Sequence, residues 1–291
     1  MTTSWVGHVV VGVDGSSYAF GAVDWAAEWA AMYGMPLGLI GAFGPQVTPQ
    51  STRAAEELRR VGVRHADSDL SEARRRAESV HPGLEIRAEA IGLGAAAALT
   101  EASESAALLV IGNRGLGAIK SVVLGGVAHE VVTYASCPVV TVPHGVDGPG
   151  DRDLVVGMDG SEHSLAAAEF AVAHAARSGA TVVAIWAWDL DLRHPVATTG
   201  VPALPDFAGF DNDLRDTLES RLAPIRERYP RVPLDARVVR GHAASVLLAA
   251  AEGAGLLVVG SRGHGGFMRL LLGSTSHAVL RAAECAVAVV R

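Results

Sequence analysis

Two stretches of this chain have the residue types and spacing of an anion cradle. Gly260-Ser261-Arg262-Gly263 is followed, after nine residues, by Gly273-Ser274-Thr275-Ser276. The first glycines come directly after the apolar run Leu256-Leu257-Val258-Val259, which reads as a buried strand. The last four residues open a segment, Ala278-Val279-Leu280, of helical character. Glycines let the backbone turn with positive φ and approach a ligand closely. A helix start supplies unpaired N–H donors and the positive end of a dipole. The hydroxyls of Ser274, Thr275 and Ser276 can add donors. The same frame occurs earlier as Gly112-Asn113-Arg114-Gly115, nine residues, then Gly125-Gly126-Val127-Ala128. Glycines also make plain turns and caps, but this spacing recurs twice, each time after a strand-like run. That recurrence favours phosphate binding.

Other chemistry-bearing residues recur with the same frame. Asp14, in Val11-Gly12-Val13-Asp14-Gly15-Ser16, returns as Asp159 in Val156-Gly157-Met158-Asp159-Gly160-Ser161. A carboxylate at a strand's carboxyl end suits an adenine amino group, a ribose hydroxyl, or a divalent metal shared with phosphate. Ser16 and Ser161, next to the helical runs, suit the N-cap role better than the aspartates do. Arg114 and Arg262 lie inside the glycine loops, where a cation beside a triphosphate and a solvated arginine are both open readings. His129 and His277 fall one turn into the following helix and read as surface histidines. Neither has the spacing of a metal pair or of a nucleophile's base. Cys137 and Cys285 each begin the last strand of a repeat and read as buried thiols.

These residues must be positioned by a duplicated unit. The aspartate motifs are offset by 145 residues, and the glycine loops, His129/His277 and Cys137/Cys285 by 148. A period of that length is a whole domain, expected at 1–147 and 148–291, with the linker between His144 and Arg152. In repeat one, strands are expected at 8–13, 37–42, 84–90, 107–111 and 139–142. Helices are expected at 17–33, 52–79, 95–103 and 126–135. In repeat two, strands are expected at 154–158, 182–188, 234–239, 256–259 and 286–290. Alternating strands and helices imply right-handed crossovers, so each repeat is an α/β, doubly wound, five-stranded parallel sheet. Ligands in such sheets sit at strand carboxyl ends where strand order reverses. The segments 43–51 and 189–206 read as long loops beside that place.

Composition narrows the function class. The chain has 291 residues, is 49% hydrophobic and 19% charged, and carries a net charge of −7. No long basic run invites a nucleic-acid backbone. Residues 1–5 show no basic region before an apolar core, so no signal peptide is expected; the most apolar window, 243–260, is broken by Glu252 and by glycines, so no membrane span is expected. Two cysteines make no disulfide scaffold, and cytoplasm is the expected compartment. Gly92-Leu93-Gly94-Ala95-Ala96-Ala97 imitates a dinucleotide fingerprint but falls on the third strand and has no counterpart in repeat two. The dipeptide Gly-Lys is absent, which excludes a Walker A loop.

Gly-x-x-Gly-x9-Gly-Ser, with an early Val-x-Val-Asp-Gly-Ser strand end, resembles the ATP-binding class of universal stress proteins. Two such units resemble the tandem actinobacterial members, over roughly 8–291. The resemblance implies a Rossmann-like fold of the adenine nucleotide alpha hydrolase type. It implies that Gly12, Val13 and Asp14, and Gly157, Met158 and Asp159, line the adenine and ribose end, with Ala42 and Ala187 beside the base. It implies that Gly112, Gly115, Gly125, Gly126, Val127 and Ala128 hold ribose and phosphates in repeat one. Gly260, Gly263, Gly273, Ser274, Thr275 and Ser276 do so in repeat two, and Arg114 and Arg262 join the candidate nucleotide-binding set from their place inside the loops. The implied cofactor is ATP in both repeats, with Mg²⁺ as a candidate companion, bound as a regulatory ligand in a stress or dormancy response. Repeat one departs from the pattern, and weaker ATP binding is expected there. The family pairs its last strands, so a pseudo-two-fold unit is expected, with a homodimer of such units as the candidate assembly. No catalytic residue stands out. A slow ATPase or autophosphorylating enzyme, and a scaffold that has lost its ligand, are the alternatives.

Overall fold

A computed structural model describes residues 4–44, 52–115, 124–189, 207–263 and 272–291. Repeat one runs β1 (Val9–Val13), α1 (Ser17–Tyr33), β2 (Leu37–Ala42), α2 (Thr52–Val80), β3 (Ile86–Ile91), α3 (Ala95–Ser103), β4 (Leu108–Gly112), α4 (Gly126–Tyr134) and β5 (Val139–Val142). Repeat two runs β6 (Leu154–Met158), α5 (Glu162–Ser178), β7 (Val182–Trp188), α6 (Phe207–Arg228), β8 (Leu234–Arg240), α7 (Ala243–Ala250), β9 (Leu256–Gly260), α8 (Ser274–Ala282) and β10 (Ala286–Val290). Val-rich runs buried on both faces form the central strands, as a parallel sheet covered on two sides requires.

The strand order is β3-β2-β1-β4-β5-β10-β9-β6-β7-β8, one continuous ten-stranded sheet. Pairing is parallel within each repeat. At the seam β10 meets β5 antiparallel, with Val287 opposite Thr141 and Val289 opposite Val139. The order reverses between β1 and β4 and again between β6 and β9, so each repeat has its own crevice there. Because the seam is antiparallel, the two crevices open at opposite ends of the sheet.

The first helix of each repeat is fixed at both ends. The Ser16 hydroxyl accepts from the Ala19 amide at 3.1 Å and the Ser161 hydroxyl from the Ser164 amide at 3.2 Å, so both serines are the N-caps. Gly34 and Gly179 close these helices in the left-handed region. α1 and α5 then meet across the seam. Trp29 stacks on His174 with ring centroids 4.2 Å apart and on Phe170 at 5.5 Å. The Tyr33 hydroxyl lies 3.2 Å from His174 Nδ1.

Candidate functional site

The turn after β6 is built around Asp159. Its Oδ1 accepts from the Ser161 amide at 3.0 Å and the Ser161 hydroxyl at 2.6 Å, which ties the carboxylate to the start of α5. Its Oδ2 lies over Gly263, where any Cβ would collide with it. A side chain at Gly260 would run into the backbone of His163, and one at Gly157 into Leu247. The glycines therefore admit the strand ends, the helix start and the loop into one small volume.

That volume is a cavity of about 450 Å³ at the carboxyl ends of β6 and β9. It is lined by Gly157, Met158 and Asp159 from the β6 end and Ala187 from β7. Gly260, Arg262 and Gly263 from the β9 loop, and Gly273, Ser274, Thr275 and Ser276 at the start of α8, complete the expected set. The repeat-two positions expected to hold nucleotide thus meet in one place. Sequence reasoning missed Ser164, Ile185, Ala243, Leu247 and Val259, which also line it. Ile185 was within reach, because it shares a strand face with Ala187 two residues on.

The hydroxyls of the cradle are not equivalent. Ser276 is buried, and its Oγ donates to the Gly260 carbonyl at 2.6 Å. Its proton is held inside the protein, so Ser276 clamps the loop instead of adding a donor to the cavity. Ser274 is exposed and Thr275 half-buried. The ends of the nine-residue excursion are pinned by the Gly273 amide, which donates to the Ser261 carbonyl at 2.8 Å. The excursion itself, 264–272, lies outside the described residues up to Leu272. The cavity offers free helix-start amides, two hydroxyls, a guanidinium and one carboxylate, with an apolar wall. That set can hold an anion at one end and a flat polar ring at the other.

Repeat one brings the corresponding residues together with different chemistry. Asp14 Oδ1 accepts from the Ser16 amide at 3.1 Å and its hydroxyl at 2.6 Å, and Asp14 Oδ2 lies over Gly115. Gly12 admits Leu99, Gly112 abuts Tyr18, Val13 and Ala42 end adjacent strands, and the Gly125 amide donates to the Asn113 carbonyl at 2.9 Å. Gly126 and Val127 are exposed at the start of α4 and offer no hydroxyl. Buried Ala128 stands where Ser276 clamps repeat two. Arg114 lies against Tyr18, its Nη1 3.4 Å from the phenol oxygen and its guanidinium over the ring. The sequence did not reveal Asp69 of α2. Its carboxylate lies on Gly15, and burial and the nearby Asp14 carboxylate raise its pKa against an opposing pull from His65. A second acidic group thus borders the repeat-one crevice.

The two histidines read as surface residues face each other across the seam, with ring centroids 5.4 Å apart at 87°. Burial, His129 and then Arg281 hold the His277 pKa below the usual value. Both cysteines are free and buried, and burial pushes the Cys137 thiol up to about 12. Both are buried, as expected. Among the described residues no three His, Cys, Asp or Glu side chains gather as a metal site.

The universal stress protein family model matches twice, over residues 6–143 and 152–291. The chain belongs to the universal stress protein family. It is similar to a universal stress protein of Mycolicibacterium smegmatis, 35% identical over 97% of this chain and 96% of the relative. A universal stress protein of Mycobacterium tuberculosis is 33% identical, again over 97% and 96%. The fold is similar to that of a universal stress protein from Archaeoglobus fulgidus, with a TM-score of 0.73, 20% identity and 98% coverage of both chains. No helix among the described residues of this universal stress protein is long and apolar enough to cross a membrane.

Proposed function

We propose that this universal stress protein binds ATP as a regulatory ligand, and binds it more tightly in repeat two than in repeat one. The observation that carries this reading is the convergence on one cavity of the β6 end, the β9 glycine loop and the hydroxyl-bearing start of α8. The apolar wall of Ile185, Ala187, Ala243 and Leu247 suits a base, and the amides at α8 with Ser274, Thr275 and Arg262 suit phosphates. A volume of about 450 Å³ is of the size of small-molecule sites. Mg²⁺ in this reading arrives with the triphosphate. Among the described lining residues the one carboxylate, Asp159, is tied to the start of α5 by Ser161, which favours ATP as a bound signal in this reading.

The unequal affinity follows from repeat one. It has no cradle hydroxyls, its arginine rests on Tyr18, and Asp69 adds negative charge. The first test is mass spectrometry of nucleotide released from denatured purified protein, with ATP expected. Titration of ATP into Gly263→Ala and Gly115→Ala variants then reads each remaining site. Tighter binding by the variant that keeps only repeat one would overturn the ordering. Turnover of labelled ATP that disappears in Asp159→Ala would overturn the non-catalytic reading.

A further inference from the structure

The cradle helices α4 and α8 are joined near their starts by the His129–His277 contact. A second link runs from repeat two to the far end of α4. Arg291 Nη2 donates to the carbonyls of Val132 at 2.6 Å and Thr133 at 2.7 Å. These are last-turn carbonyls with no partner inside the helix, and a cation is favoured there by the helix dipole. The link is one-sided. The position corresponding to Arg291 in repeat one is Pro143, which has no side-chain donor.

Arg291 also borders the glycine loop of repeat two. Val290 pairs with Gly260, and the Ser261 amide donates to the Val290 carbonyl at 2.7 Å. The next residues along these two paired segments are Arg262 and Arg291. Arg262 acts on Arg291 as a like charge, which adds to burial in lowering the Arg291 pKa.

We propose that Arg291 is a positioning residue for the repeat-one cradle that responds to the charge held in the repeat-two cradle. An anion drawn to Arg262 removes the like-charge repulsion on Arg291. The guanidinium then settles more firmly on the carbonyls of α4, the helix whose other end forms the repeat-one cradle. The two sites are thereby coupled, and by linkage the coupling is reciprocal. This rests on the phosphate reading of the repeat-two cavity.

The test is amide hydrogen exchange on the full chain, with ATP as the probe. A Val127→Asp background keeps ATP out of repeat one, because a carboxylate at the start of α4 repels phosphate. Saturating ATP is expected to slow exchange at α8 directly and in the last turn of α4 by about fivefold or more, the lower end of ordinary coupling. Adding Arg291→Gln is expected to abolish the slowing at α4 and leave that at α8. Arg291→Lys, which keeps the charge and a donor, is expected to retain part of it. Protection at α8 with no change at α4, an unchanged α4 response in Arg291→Gln, or complete loss in Arg291→Lys overturns the inference alone. No protection at α8 overturns the ATP reading and this inference with it.

Discussion

Single atoms decide what each cradle can hold. In repeat two, Ser274 and Thr275 offer hydroxyls while Ser276 clamps the Gly260 carbonyl. Replacing Ser274 and Thr275 together by Ala is expected to cost about 1–3 kcal/mol of ATP binding, roughly 5- to 150-fold, by calorimetric titration. Gly263→Ala drives a methyl into Asp159 and is expected to weaken binding by more, whereas Gly126→Ala meets open space and is expected to leave stability unchanged or higher. The converse test is a gain. Gly126→Ser, Val127→Thr and Ala128→Ser together restore two donors and the clamp, and in a Gly263→Ala background should raise ATP affinity in repeat one. No gain would mean that Asp69 or the Arg114–Tyr18 contact, and not the missing hydroxyls, limits that site.

Elements show what the sequence revealed and what it hid. The helices at 17–33 and 95–103 and the strands at 37–42 and 139–142 fall where their patterns place them. Periodicity is a local signal, and the helix at 17–33 adds an N-cap serine, Ser16, and a closing glycine, Gly34. The repeat-two site was legible for the same reason, since its residues sit in short motifs at strand ends. The Ser276 clamp was not, because a serine at a helix start has the same identity whether it faces a ligand or a carbonyl. Trp29 on His174, His129 on His277 and Arg291 on α4 join residues more than 140 positions apart, and no local pattern announces them. The β5–β10 pairing was legible only through resemblance. It now carries a prediction of its own. Residues 1–147 expressed alone would leave β5 as an unpaired edge, and light scattering is expected to show self-association. A stable monomer would mean that the edge is protected by other means.

At the scale of the molecule, the seam holds a titratable group. His174 is wholly buried between α1 and α5, Nδ1 facing the Tyr33 hydroxyl, and burial lowers its pKa to about 4, with the Pro149 carbonyl acting weakly the other way. The unfolded chain therefore binds the proton first. Stability from this group is complete above about pH 6.5 and is lost as pH falls from there toward 4, by ~3 kcal/mol at most. Chemical denaturation across that range should show the slope in the wild type and a flatter profile in His174→Phe. An equal slope in both would assign the acid sensitivity elsewhere. Trp29→Ala, which removes the ring stacked on His174 and Phe170, is expected to cost ~3–5 kcal/mol. The linker takes part in this seam, with Gly148 against the Glu28 carboxylate. Because β5 and β10 belong to one chain, their pairing is first-order and independent of dilution. A self-paired homodimer must keep its two sites identical, since every substitution appears in both. Covalent fusion lifts that constraint, so one half can carry hydroxyls that the other lacks, and the two cradles of one molecule can differ in what they hold.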